Sequence, residues 1–113
     1  MVAEDDAETF DASVELTTKT LQEHPEINAI WAWNQPSFLG MIDAVRKAGR
    51  KDIMVMGADM SMELAEDMLG NDVDIIAITT QMPYNMGYKA VVTALDALAG
   101  KRVDKSVLIP LFT

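Results

Sequence analysis

Apolar or methyl-bearing positions open the chain in a helical rhythm. Ala7, Phe10, Val14, Thr17 and Leu21 recur in steps of three and four, the spacing of one helical face, which predicts a helix over residues 6–23. The rhythm then changes. Ile27-Asn28-Ala29-Ile30-Trp31-Ala32-Trp33 is short, β-branched and aromatic, and reads as a buried strand over 27–33 that ends at Asn34. Pro36 suits the first turn of a following helix, where its missing N–H costs nothing. That helix carries Phe38, Met41, Ile42 and Val45 on one face, with Gly49 as its C-cap. The cycle repeats: a strand over 52–57, a short helix over 60–69 closed by Gly70-Asn71-Asp72, and an apolar strand over 73–79. Pro83 opens a last helix with Gly87, Val91, Ala94, Leu95 and Leu98 along one face. Residues 106–112, interrupted by Pro110, read as an edge strand or a strand that stops there.

Strict alternation of helix and strand implies right-handed crossovers and a mostly parallel sheet. The expected fold class is α/β, with alternating helix-strand units and a partial doubly wound parallel sheet: three strands adjacent in chain order, with helices on both faces. In such sheets ligands sit beyond the carboxyl ends of the strands. The residues at those ends are Asn34, Gln35, Gly57, Ala58, Asp59, Thr80, Gln81 and Met82. The first predicted strand is very apolar and has no preceding partner strand. Bare apolar edges are rare in native sheets, so an upstream segment or another chain is expected to pair with it.

Charge and composition narrow the chemistry. The 113 residues carry a formal net charge of -9, which repels phosphate and argues against a nucleic-acid partner. Without cysteine, thiolate metal sites and cysteine nucleophiles are excluded. The one histidine, His24, precedes Pro25 and reads as a helix end rather than a metal or catalytic group. Nine methionines read as adaptable core filling. No GxGxxG surrounds Gly57 and no P-loop is present, so no cofactor and no metal are expected. No apolar run is long enough to cross a membrane. The opening residues lack the basic and apolar regions of a signal peptide, so Met1 is not expected to start an exported precursor.

Asn34, Asp59 and Gln81 are planar polar side chains at successive strand ends. Each can pair with a ligand hydroxyl in a fixed plane, as a polyhydroxylated ligand requires. Asn34 and Asp59 also stand just before helices, where both residue types are favoured caps. Trp31 is expected in the core. Trp33, nearer the ligand end, either packs in the core or stacks on a sugar ring. Gln35, beside Asn34, joins the candidate ligand-binding set.

Read in order, the segments resemble the C-terminal part of ribose-type periplasmic binding proteins. The run from Leu21 through His24-Pro25 to the strand end Trp33-Asn34 is similar to that family's helix, His-Pro turn and strand ending in a ligand-contacting Asn. Met54-Val55-Met56-Gly57-Ala58-Asp59 resembles its strand ending in a ligand-contacting Asp. Thr80-Gln81-Met82-Pro83-Tyr84-Asn85-Met86-Gly87 resembles its hinge crossing, whose Gln also contacts sugar. The resemblance implies a sugar-binding component of an ABC-type importer, closing two lobes on its solute and presenting it to a membrane permease, outside the cytoplasm and lipid-anchored in a Gram-positive source. It implies no enzyme activity. It divides the chain into residues 1–82, part of the C-terminal lobe, and residues 83–113, a hinge crossing, helix and strand that pack on an N-terminal lobe or on a second, swapped copy of the chain. Two positions depart from the family: Gln35 where an Asp is usual, and Ala58 where an aromatic is frequent. The effector domain of a lac-repressor-type regulator shares this fold and is the alternative. Such regulators usually carry a Pro-containing stretch followed by Leu-Thr-Thr before the last crossing, and residues 73–80 lack it.

Overall fold

The computed structural model describes residues 1 and 3–112. Two compact units divide the chain, Met1–Thr79 and Thr80–Thr113.

Among the described residues the first unit holds three helices and three strands. Helix α1 (Phe10–Glu23) starts at Thr9, whose hydroxyl accepts from the Ala12 N–H, and ends where the His24 N–H returns to the Thr20 carbonyl. Its buried residues are Ser13, Thr17 and Leu21, while Phe10, predicted on the inner face, is exposed. Strand β1 (Ala29–Ala32) leads into α2 (Gln35–Ala48), which has Pro36 in its first turn and Gly49 as its left-handed cap. Strand β2 (Met54–Ala58), helix α3 (Met62–Leu69) and strand β3 (Asp74–Thr79) complete the unit.

The sheet is parallel throughout, in the order β1-β2-β3. Its register sets Ile30 beside Val55 and Val55 beside Ile75, then Ala32 beside Gly57 and Gly57 beside Ile78. Along β1 and β2 these residues share one face, because side chains alternate along a strand; a register shift between Val55 and Met56 brings Ile75 and Ile78, three residues apart on β3, to that same face. Phe38, Met41, Ile42 and Val45 of α2 and Leu64 of α3 belong to the same buried cluster as Ala32, Val55 and Ile78. Phe38, Ile42, Val45, Val55 and Leu64 are fully buried. Gly57 lets α2 come this close: a Cβ there would lie 2.7 Å from the Phe38 ring and 2.8 Å from the Ala32 carbonyl oxygen.

The opposite face differs from expectation. Trp31, level with Met56, is 62% exposed, and Ile76 is 48% exposed. Trp31 is therefore not a core residue of this chain. Helices α2 and α3 both cover the other face, since right-handed crossovers that add strands in one direction place their helices on one side. A helix on the second face requires the strand order to reverse, and β1-β2-β3 runs one way.

The second unit contains α4 (Pro83–Leu98), which begins at Met82 without a side-chain cap. Its expected inner face is open: Val91, Leu95 and Leu98 are all exposed. The strand expected over 106–112 does not form. Only an antiparallel bridge joins Phe112 to Thr80, with N–H to carbonyl distances of 2.7 and 3.0 Å. Pro110 lacks the N–H that a longer ladder needs, and among the described residues of this unit there is no neighbouring strand to pair with.

Candidate functional site

The carboxyl edge of the sheet places Asn34 and Asp59 on neighbouring strand ends. Ala32 pairs with Gly57, and two residues further along each chain segment come Asn34 and Asp59. Both are partly buried, so each offers some polar surface at the edge where open α/β sheets take ligands.

The two residues are held differently. Asn34 is the N-cap of α2. Its Oδ1 accepts from the Ser37 N–H at 2.9 Å and from the Ser37 hydroxyl at 2.6 Å, and its Nδ2 donates to the Glu8 carbonyl at 3.4 Å. Behind it, the buried Ser13 hydroxyl donates to the Ser37 carbonyl at 2.7 Å, tying α1 to the first turn of α2. Asp59 is not a cap. Ser61 caps α3, accepting from the Leu64 N–H. Asp59 instead sits at φ 70°, the one non-glycine residue with positive φ among those described, and its N–H donates to the Thr79 carbonyl at 2.8 Å. Asp tolerates this left-handed conformation better than most residues. The cap reading thus holds for Asn34 and fails for Asp59.

Gln35 is the first residue of α2 and partly buried; Trp33 is 50% exposed. Gln81 belongs to the second unit, exposed and next to Thr80, whose backbone is fixed by Phe112. Ser13 and Ser37 escaped the sequence reading because serine on a helix carries no burial signal; only their contacts distinguish them.

Ion pairs brace the amino-terminal end of the sheet. Arg50 forks onto Asp52 at 2.8 and 2.7 Å and also donates to the Ile27 carbonyl at 2.9 Å. The guanidinium's hydrogen bonds pull the Asp52 carboxyl down to about 2. Arg46 of α2 bonds Asp72 and, at 2.7 Å, Asp67 of α3. These bonds, to Asp72 first, raise the Arg46 pKa, and Arg46 lowers that of Asp72. Among the described residues no cluster of His, Asp or Glu could hold a metal ion, and no helix is long and apolar enough to cross a membrane.

Residues 2–102 match the family described as periplasmic binding protein domain. The chain belongs to that family. It is 36% identical over 104 residues to the ribose import binding protein of Bacillus subtilis, covering 90% of this chain and 33% of the relative. Against the ribose import binding protein of Escherichia coli it is 34% identical over 84 residues, 74% of this chain and 28% of the relative. The fold superposes on a glucose-galactose binding protein from Geobacillus stearothermophilus with a TM-score of 0.84 and 25% identity, over 93% of this chain and 37% of the other. This periplasmic binding protein segment therefore spans about a third of the length of the relatives it matches. None of these three relatives is a transcriptional regulator.

Proposed function

We propose that the segment supplies one side of a sugar site in the solute-binding component of an ABC-type importer. The observation that carries this reading is the placement of Asn34 and Asp59 on adjacent carboxyl strand ends in a family whose named relatives here import or bind sugars. Asn34, Asp59 and Gln81 bond solute hydroxyls, Trp33 stacks on the apolar face of the ring, and Gln35 borders the pocket. The opposing contacts come from an N-terminal lobe, closure of the two lobes traps the solute, and a membrane permease receives it. The protein works outside the cytoplasm, on a lipid anchor in a Gram-positive source. Binding and release, without a catalytic step, are the whole of its chemistry.

Isothermal titration of the full-length protein with D-ribose, D-allose, D-glucose and D-galactose tests this. At least one sugar is expected to bind, and the alanine variants of Asn34, Asp59 and Gln81 each to weaken it. Unchanged affinity in all three variants overturns the site.

A further inference from the structure

The hydrogen bonds of Asn34 determine which way its amide faces. A carbonyl oxygen has two lone pairs and an amide nitrogen two donors. Oδ1 accepts from one residue twice, from the Ser37 N–H at 2.9 Å and from the Ser37 hydroxyl at 2.6 Å; the hydroxyl's single hydrogen goes to this nearer oxygen rather than to the Asn34 backbone carbonyl at 3.1 Å, so both Oδ1 lone pairs are engaged. Rotating the amide by half a turn would set its NH2 against the Ser37 N–H, donor against donor, and leave a helix N-terminal N–H without an acceptor. On the other side, one Nδ2 hydrogen reaches the Glu8 carbonyl at a long 3.4 Å. The second has no partner among the described residues. Ser37 itself is 3% exposed and cannot drift, because its carbonyl accepts from the buried Ser13 hydroxyl at 2.7 Å. Gly40, one turn along α2, permits the close approach of α1 that brings Ser13 there: a Cβ on Gly40 would lie 2.9 Å from Ser13 Cβ.

We propose that Ser37 is a positioning residue for the sugar site, fixing the Asn34 amide so that Asn34 meets the solute as a donor only. The inference rests on the reading that Asn34 contacts a sugar, and it adds what Asn34 recognises: an oxygen lone pair, belonging to the ring oxygen or to a hydroxyl that spends its own hydrogen elsewhere. An Asn with a free carbonyl could serve a hydroxyl either way. This one cannot, because its acceptor side is used up by the protein. The two serines thereby link the orientation of a ligand contact to the packing of α1 on α2.

The test uses the full-length protein and whichever of D-ribose, D-allose, D-glucose and D-galactose titrates most tightly. Asn34→Asp keeps the capping oxygen but replaces the donor with an acceptor. It is expected to hold its melting temperature and to lose at least tenfold in affinity. Ser37→Ala removes the hydroxyl without adding volume and is expected to weaken binding about three- to tenfold, with Ser37→Thr restoring most of the loss. Rescue by Thr separates orientation from mere folding. If Asn34→Ala weakens binding while Ser37→Ala leaves it unchanged, the positioning role is overturned and the site survives. Asn34→Asp binding as tightly as the parent overturns the donor-only role. Should Asn34→Ala bind every sugar as well as the parent, or should no sugar bind the parent at all, the site reading fails and the proposal falls with it.

Discussion

Asp59 adopts a backbone conformation that most side chains avoid, directly after the strand whose end it marks. Left-handed backbone at a non-glycine residue costs of order 1 kcal/mol and tends to collect where function requires it. Two substitutions separate the conformational part from the binding part. Asp59→Ala is expected to weaken sugar binding by roughly 1–3 kcal/mol, the scale for losing a hydrogen bond to a charged group. Asp59→Gly is expected to weaken it similarly, yet to be about 1 kcal/mol more stable than the Ala variant, because glycine accepts positive φ without strain. Calorimetric titration beside thermal melts of the two variants checks both; an Ala variant as stable as the Gly variant would remove the conformational argument. Asn34 and Asp59 were legible in the sequence as strand-end polar groups, but their local roles were not. Each lies a short step before a helix, and only the structure shows that Ser61, not Asp59, caps α3. Trp31 misled for a related reason. Two apolar faces look alike in a strand of alanine, isoleucine and tryptophan, and nothing in the residue order says which one a helix will cover.

Among the elements, α2 was the most legible. Phe38, Met41, Ile42 and Val45 recur at helical spacing, stand between a proline and a glycine, and are all buried. Helix α1 was less so, because its inner face is built from Ser13 and Thr17 and small polar residues blur the rhythm. The last strand was over-read: residues 106–112 have the composition of a strand, but a strand forms only against a partner. The loop between α2 and β2 supports a prediction about acid. The folded protein holds Asp52 ionised down to about pH 2, against an ordinary value of 3.8, through the forked Arg50 contact. The pair therefore contributes stability above the unfolded value and loses it as pH falls through that window to the folded pKa. In Arg50→Met the Asp52 carboxyl is expected to titrate near its ordinary value, and stability to fall less steeply between about pH 4 and pH 2. Carboxyl NMR titration with melts across that range reads both effects. Asp52 titrating near 2 in the variant would show that Arg50 is not the cause.

Over the whole molecule, apolar surface is more exposed than a small monomer tolerates. Trp31 and Ile76 on the open face of the sheet, and Tyr88, Val91, Leu95 and Leu98 on α4, are all solvent-exposed. Patches of this kind mark interfaces or aggregation hazards, and β1 is a sheet edge beside one of them. The 113-residue chain by itself is expected to self-associate, for instance by exchanging its C-terminal helix with a second copy, and to bind sugar poorly. Sedimentation velocity over a range of concentrations decides this, and a monodisperse monomer with a cooperative melt would overturn it. The strand order has a consequence in time as well. Each strand pairs with the one a single helix away in the chain, Ala29 with Met54 and Met54 with Asp74, so every closure spans a short loop. Closure between neighbouring stretches of chain costs less entropy than closure between distant ones. During synthesis β2 can dock on β1, and then β3 on β2, in the order in which they leave the ribosome, so the sheet edge that Asn34 and Asp59 share can form before α4 has emerged from it.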